Sequence, residues 1–114
     1  MFREYFQKAK LYGFEYNKNY IKEAKKHKLK KTKYFEINVK NSGNISKVFK
    51  KTKRKFKIII DDSTHEFNDQ IRIIINSINY LEKGGYLIIE DIFHYPENLE
   101  QKYYKKLNKY KKYF

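Results

Sequence analysis

The 114-residue sequence contains no cysteine, no tryptophan, one proline and only four glycines. Without cysteine, the chain cannot form disulfides or thiolate metal sites. No apolar run approaches the ~20 residues that span a bilayer, and the first residues do not form a signal peptide. These absences, together with a length that suits one small domain, predict a single domain, residues 1–114, in the cytoplasm.

Acidic residues are scarce, with 13 against 27 basic residues and a net charge of +14. Such an excess is typical of proteins that bind nucleic acid. The basic residues are 24 lysines and three arginines, however, in a chain rich in Ile, Asn, Tyr and Phe, as an AT-rich genome would encode. Specific nucleic-acid readers rely more on arginine. We therefore interpret most of this charge as a solvated surface and keep a small basic nucleic-acid-binding module as the alternative function.

The middle of the chain shows a strand, helix, strand pattern. Phe56–Ile60 is a nearly continuous apolar run, which predicts a strand buried on both faces. Apolar residues at helical spacing follow, with Asn68 or Asp69 placed to cap the first turn. This helix is predicted to end at Lys83–Gly85, and a second buried strand, Tyr86–Ile89, comes next.

Acidic residues follow both of these strands: Asp61 and Asp62 after the first, Glu90 and Asp91 after the second. The two strands of a βαβ unit are parallel, so their carboxyl ends meet at one edge, where ligands bind in open α/β sheets. Neighbouring strands lie ~4.8 Å apart, and four carboxylates so close repel one another unless a cation, a hydroxyl-bearing ligand or water lies between them. Oxygen ligands favour Mg²⁺ or Ca²⁺ over zinc. Solvent-facing acidic strand ends are the alternative.

Strands and helices alternate through the rest of the chain. The predicted helices are Met1–Ala9, a helix from Asn17 or Asn19 to about Lys28 with Tyr20, Ile21 and Ala24 inward, a short helix with Ile45, Val48 and Phe49, and the tail Glu97–Phe114. The other predicted strands are Lys10–Glu15 and Lys33–Val39, and Asn41–Asn44 is predicted to be a turn.

Glu15 is either a solvated strand end or an acid that binds ligand hydroxyls. Strict alternation predicts an α/β fold with a doubly wound, mostly parallel Rossmann-like sheet.

The segments IIIDDSTHEFNDQI and LEKGGYLIIEDI, in this order and at this separation, resemble the second half of class I S-adenosylmethionine-dependent methyltransferases. They are most similar to the metal-dependent sugar and antibiotic O-methyltransferases and the cephalosporin-hydroxylase-like proteins. The resemblance implies O-methyl transfer from S-adenosylmethionine to a small-molecule or sugar hydroxyl, assisted by Mg²⁺. It covers the middle third well and extends more weakly over residues 11–38.

Site residues follow from the resemblance, position by position. It implies that Asp62, Glu90 and Asp91 hold Mg²⁺, and that Glu15 contacts the cofactor ribose. Asn38 stands where the family has an acid near the adenine amino group, and its side-chain carbonyl can accept the same hydrogen bond. The resemblance further implies that Asp61 binds the cofactor and that His65 shapes the pocket or acts in catalysis, with His94 as a second candidate base.

The chain departs from the family at the start of its sheet. The family opens with a strand and a glycine-rich loop that receive the cofactor, and no glycine here lies in such a loop. Ser63 and Thr64 replace the glycine and serine of the motif. The resemblance therefore implies an incomplete sheet that lacks its first strand and its C-terminal hairpin. The expected explanations are a fragment of a longer reading frame, halves that close up directly, or a second chain that supplies the missing strand. In the last case the chain is expected to be either part of an enzyme or a non-catalytic partner that the other chain completes.

Overall fold

The computed structural model describes residues 2–92 together with Lys105, Asn108 and Lys109. The elements in chain order are α1 (Phe2–Tyr5), β1 (Leu11–Glu15), α2 (Lys18–Lys26), β2 (Thr32–Glu36), α3 (Ser42–Thr52), β3 (Phe56–Asp61), α4 (Phe67–Ser77), a 3₁₀ turn (Ile78–Tyr80) and β4 (Leu81–Ile89). Apart from Lys105, Asn108 and Lys109, the helix predicted over Glu97–Phe114 lies outside the described residues, and so does the candidate base His94. The predicted alternation of helices and strands is confirmed from α1 to β4.

The four strands form two separate two-stranded parallel sheets, β1–β2 and β3–β4. The chain correspondingly divides into two compact units, Met1–Asn38 and Val39–Phe114. The α/β class with parallel strands is therefore confirmed, whereas a continuous doubly wound sheet and a single domain remain predictions. In the part of the chain that the structure describes, no helix is long and apolar enough to cross a membrane.

The first unit is built on the parallel pair β1–β2, which runs in register from Leu11 and Thr32 to Glu15 and Glu36. Phe35 stacks on rings from both ends of β1, with centroid distances of 6.1 Å to Tyr12 and 5.7 Å to Phe14. On the opposite face of this sheet Gly13 lies under Tyr34, because a Cβ at residue 13 would stand 2.8 Å from that ring. This glycine thus lets an aromatic ring lie across the strand.

Helix α2 begins as the sequence predicts, since the Asn17 side chain accepts a hydrogen bond from the Asn19 backbone N–H at 2.9 Å. Its inward face is weaker than predicted. Ile21 and Ala24 are half-buried, but Tyr20 is 65% exposed, so its predicted inward position is wrong. The helix therefore packs through small and aliphatic residues, and its tyrosine stays in solvent.

Helix α3 is longer than the predicted short helix. The side chain of Asn41 caps it by accepting from the Asn44 backbone N–H at 2.9 Å, so residues 42–44 form its first turn and the predicted separate turn is wrong. Ile45, Val48 and Phe49 are buried, as the helical spacing predicted. Asparagine favours caps and turns alike, which explains why the sequence alone misassigned this segment.

Helix α4 begins at Phe67, with Glu66 as its N-cap, and ends at Ser77. The predicted start and the predicted end of this helix are both wrong. Asn68 and Asp69, the predicted caps, lie inside the first turn. The helix does not reach Lys83–Gly85, because the 3₁₀ turn and the start of β4 follow Ser77. The apolar residues on which the prediction rested continue beyond Ser77 with the same spacing. Leu81, which fits that helical spacing, pairs with Phe56 of β3 instead, so tertiary pairing overrides the local pattern.

The two glycines lie inside β4, where the β3–β4 register shifts between Phe56 and Ile58. Gly84 has a φ of +76°, which glycine adopts at little cost. Gly85 approaches β3 closely, because a Cβ there would lie 2.9 Å from the Lys57 carbonyl oxygen and 3.1 Å from that of Phe56. The pair therefore forms an irregularity in the strand, and the predicted helix cap at this position is wrong.

We expect Gly85→Ala to lower the free energy of unfolding by about 1–3 kcal/mol, because the new methyl group meets backbone oxygens that cannot rotate away. Gly84→Ala is the matched control. A methyl group at residue 84 meets no atom within 4 Å, so the cost of about 1–2 kcal/mol comes only from holding alanine at a positive φ. Urea unfolding followed by circular dichroism measures both. An unchanged midpoint for Gly85→Ala would contradict the close approach of the two strands.

One face of the β3–β4 sheet is covered and the other is exposed. The covered face meets α3 and α4, and the core comprises Ile45, Val48, Phe49, Ile59, Ile71, Ile73 and Ile74. The opposite face carries Ile58 and Ile60 of β3 beside Tyr86 and Ile88 of β4, with exposures between 39% and 70%. The prediction that Phe56–Ile60 is buried on both faces is therefore wrong, and Tyr86–Ile89, predicted to be a buried strand, is exposed on the same side.

Candidate functional site

The segment between β3 and α4 begins at a buried acid. Asp61, the last residue of β3, is 6% exposed, on the same strand face as the buried Ile59. Burial raises the pKa of its carboxyl group above the ordinary value; hydrogen bonds from the Ser63 hydroxyl and backbone N–H, and the nearby His65, offset this in part. Asp61, predicted to bind the cofactor, thus accepts hydrogen bonds from the loop that follows it.

The raised pKa makes the stability of the protein depend on pH. Since the folded pKa of Asp61 exceeds the unfolded one, the folded chain holds more protons between the two values. The free energy of unfolding therefore falls as the pH rises from the ordinary carboxyl value through the folded pKa. Asparagine at residue 61 carries no charge at any of these pH values. We therefore expect Asp61→Asn to remove this pH dependence and to raise the free energy of unfolding at neutral pH. Urea unfolding across pH measures it, with Glu82→Gln, at an exposed position of β4, as control.

A result in which Asp61→Asn destabilises the protein at neutral pH would contradict this reasoning. It would mean that the hydrogen bonds from Ser63 to a charged carboxylate outweigh the cost of burying that charge.

Three side chains fasten the loop to the start of α4. The Thr64 hydroxyl donates to Asp69 Oδ2 at 2.8 Å, and Arg72 forms an ion pair with the other oxygen of the same carboxylate. Asp69 is buried, and these two partners satisfy it. Sequence reasoning treated Asp69 only as a helix cap. A carboxylate three residues before an arginine in a helix was the available signal, because such residues lie on one helix face.

The ends of β3 and β4 are joined by backbone and side-chain hydrogen bonds. The Glu90 N–H donates to the Asp61 carbonyl at 2.9 Å, which continues the pairing of the strands by one residue. The buried amide of Gln70, on α4, donates to the Glu90 carbonyl at 3.2 Å. The predicted meeting of the two acidic strand ends at one edge is therefore present in this unit.

Asp62, His65 and Asp91 come together at this edge. His65 Nε2 lies 3.1 Å from Asp62 Oδ1 and 3.5 Å from Asp91 Oδ2. One ligand atom of each residue lies within 4.8 Å of the other two, and the side chains of Asp62 and Asp91 are 62% and 69% exposed. The group, which we call the Asp–His–Asp cluster, is thus open to solvent and carries two carboxylates around one imidazole.

Two members of the cluster have unusual backbone conformations. His65 has a φ of +57° and Asp91 a φ of +49°, values that residues other than glycine rarely adopt. Such conformations cost free energy, and they are concentrated at active sites and ligand clamps. Both loops therefore hold their side chains in the cluster against a local backbone preference.

The cluster contains two of the three residues predicted to hold a metal, Asp62 and Asp91, together with the predicted catalytic residue His65. The carboxylate of Glu90, the third predicted ligand, is not part of it. Glu90 contributes its backbone N–H and carbonyl to the strand ends instead. The predicted ligand set stays a prediction, and the structure groups His65, rather than the Glu90 carboxylate, with the two aspartates.

The predicted cofactor residues Glu15 and Asn38 lie in the first unit. Glu15 ends β1, and its carboxylate accepts a hydrogen bond from the Asn17 backbone N–H at 2.7 Å. Asn38 comes two residues after β2 and is half-buried. Each therefore follows a parallel strand at its carboxyl end, as predicted, and Glu15 is held in place by the loop that leads to α2.

The donor atoms of the Asp–His–Asp cluster suit a divalent cation. Ligand atoms on opposite sides of Mg²⁺ lie about 4 Å apart, because each bond measures about 2.1 Å. The separation of up to 4.8 Å in the cluster is slightly larger, and the exposed side chains can close that difference. Two carboxylates favour Mg²⁺ or Mn²⁺, and the imidazole extends the range toward iron and zinc.

Comparison with known proteins identifies a family over the full length of the chain. The family model described as "Methyltransferase domain" matches residues 1–114. The comparisons with curated proteins and with solved structures gave no match. The matched region contains both units and all of the residues discussed above. The chain therefore belongs to the methyltransferase domain family, and this membership implies methyl transfer with S-adenosylmethionine as the donor.

Proposed function

We propose that this chain transfers a methyl group from S-adenosylmethionine to a hydroxyl oxygen of a small molecule or sugar, with help from Mg²⁺. The observation that carries the proposal is the Asp–His–Asp cluster, which lies at the carboxyl ends of two parallel strands in a chain of the methyltransferase domain family. This edge of a parallel sheet is where such folds bind their ligands.

In this proposal Glu15 and Asn38 bind the cofactor. The Glu15 carboxylate, which Asn17 holds in place, accepts hydrogen bonds from the ribose hydroxyls. Asn38 accepts one from the adenine amino group through its side-chain carbonyl. Asp61 acts indirectly, because its buried carboxylate positions Ser63 and the loop that carries Asp62 and His65.

Asp62 and Asp91 would hold the metal. A bound Mg²⁺ lowers the pKa of a hydroxyl group that it contacts and so makes the oxygen a better nucleophile. The two carboxylates reach the cluster from different loops, so the folded β3–β4 pair is needed to assemble them. Their exposure leaves room for an acceptor to approach.

His65 would receive the proton of the acceptor hydroxyl. Its Nε2 atom lies 3.1 Å from Asp62 Oδ1 and 3.5 Å from Asp91 Oδ2, at the edge where the metal and the acceptor hydroxyl would lie. The same nitrogen cannot bind the metal and receive a proton at once. His65→Gln distinguishes the two roles, since loss of a ligand weakens metal binding, whereas loss of a base lowers the rate and leaves metal binding intact.

Isothermal titration of the full chain with S-adenosylmethionine tests the cofactor site. We expect Glu15→Gln to weaken binding by about tenfold, because a neutral amide forms weaker hydrogen bonds with hydroxyl groups than a carboxylate does. Glu36→Gln is the matched control, since Glu36 is an exposed acid at the end of the neighbouring strand. Equal losses in both variants would contradict the role of Glu15.

Radiolabelled S-adenosylmethionine then tests turnover on a panel of sugars and small hydroxyl compounds, with and without Mg²⁺. We expect label in the acceptor only when the metal is present. If the rate of methyl transfer is unchanged in the presence of a chelator, the metal has no part in the reaction. If the full chain does not bind S-adenosylmethionine, the proposed function as a whole is overturned.

A further inference from the structure

The first unit contains a shallow groove of about 340 Å³ that the proposed function does not use. It lies between the end of α2, the loop that follows and the start of β2. Its lining residues are Lys25, Lys28, Leu29, Thr32, Lys33, Tyr34 and Phe35. The groove thus brings three lysines together with a leucine, a threonine and two aromatic residues of β2.

The charged residues that line this groove are all lysines. Residues 25–33, KKHKLKKTK, contain six lysines and no acid. Among the described residues, no carboxylate forms an ion pair with any of the three groove lysines, whereas the neighbouring Lys26 is paired with Glu23 at 2.6 Å. The lysines that line the groove are therefore available to an anionic ligand, and several of them act on the same small volume.

The floor of the groove is apolar and held in place by neighbouring residues. Leu29 is 42% exposed and the Tyr34 ring lies over Gly13, whereas the ring of Phe35, the next residue of β2, points to the opposite face and stacks on Tyr12 and Phe14. Lysines around an aromatic and aliphatic floor suit a ligand with both phosphates and flat bases. Single-stranded nucleic acid has both, since its phosphates attract lysine and its unpaired bases stack on aromatic and apolar surfaces.

The groove is distinct from the proposed cofactor position in the same unit. Thr32 begins β2, whereas Glu15 ends β1, and the two parallel strands are in register over five residues each. A strand of this length places the two ends about 13 Å apart. Neither Glu15 nor Asn38 lines the groove, which extends along β2 as far as Phe35, the partner of the residue before Glu15.

We propose that this lysine groove binds single-stranded nucleic acid. The proposal does not depend on methyl transfer, and its test requires neither S-adenosylmethionine nor a metal. The net charge of +14 strengthens the attraction at long range, and the groove supplies the place of contact.

The test measures fluorescence anisotropy of a labelled oligouridine with the full chain across a range of salt concentrations. We expect the triple variant Lys25→Gln, Lys28→Gln, Lys33→Gln to bind at least about tenfold more weakly than the wild type at low salt. Its plot of log affinity against log salt should be shallower by about 2, because three phosphate contacts are lost at about 0.7 each.

The matched control is the triple variant Lys47→Gln, Lys51→Gln, Lys83→Gln, which removes the same charge from exposed positions in the second unit. We expect it to keep wild-type affinity within about twofold and an unchanged salt slope beyond the small effect of net charge. Equal losses in the two triple variants would show that binding is non-specific attraction to a basic protein and would overturn the proposal.

Two further measurements identify the partner. A duplex of the same length should bind more weakly than the single strand, because its stacked bases cannot reach the apolar floor. Anionic lipid vesicles should bind both triple variants alike. Failure of the wild type to bind oligouridine, a preference for the duplex, or vesicle binding that depends on the three groove lysines would each overturn the assignment.

Discussion

Replacing Phe49 with alanine is expected to lower the free energy of unfolding by about 3–5 kcal/mol. Phe49 is 3% exposed and lies on the buried face of α3. Its ring meets Phe56 of β3 edge-on at 6.0 Å and Tyr80 of the 3₁₀ turn at 5.3 Å. The truncation therefore removes contacts among three elements and leaves a cavity at their meeting point.

A loss of this size is a large share of the stability of a small domain, which is typically 5–15 kcal/mol in total. Urea unfolding measures it, with Ile60→Ala as the control because Ile60 is 39% exposed on the uncovered sheet face. We expect the control to cost less than about 1 kcal/mol, since little contact is lost there. Similar losses in the two variants would show that the described packing of α3 on β3 is incorrect.

Replacing Asp62 with asparagine is expected to weaken Mg²⁺ or Mn²⁺ binding by at least about 100-fold, because even residues that only support metal ligands commonly contribute 10–100-fold. Asp62 lies 3.1 Å from His65 and supplies one of the two carboxylates of the cluster. Asparagine keeps the size of the side chain and removes its charge. The metal affinity measured by titration calorimetry and the rate of Mg²⁺-dependent methyl transfer should therefore decline together.

The informative control for Asp62→Asn is Glu90→Gln. The family resemblance places Glu90 among the metal ligands, whereas the structure leaves its carboxylate outside the cluster. We expect Glu90→Gln to change metal affinity by less than about threefold, as a neighbouring charge does when it is screened by solvent. If Glu90→Gln instead weakens binding as much as Asp62→Asn, Glu90 is a metal ligand, as the family resemblance implies.

The parts of the fold that depend on local sequence were predicted well. Asn17 caps α2 as expected, because a cap needs only the residues of one helical turn. Ile45, Val48 and Phe49 are buried, since their spacing places them on one helix face. The strand Phe56–Asp61 extends the predicted strand by a single residue.

The errors occurred where distant segments decide the structure. The apolar spacing continues past Ser77, and nothing local indicates that Leu81 pairs with Phe56. Likewise the run around Ile58 is apolar on both faces, but only the face toward α3 and α4 is covered among the described residues. Local hydrophobicity cannot indicate which of two apolar faces has a neighbour.

By itself the amino-acid sequence determined the order of helices and strands and the acids that end the strands, because periodicity and caps are properties of neighbouring residues. Only the tertiary structure placed His65 between Asp62 and Asp91 and left Glu90 outside the cluster. That arrangement depends on the register of β3 with β4 and on two loop residues with positive φ, which are set by contacts between segments far apart in the chain.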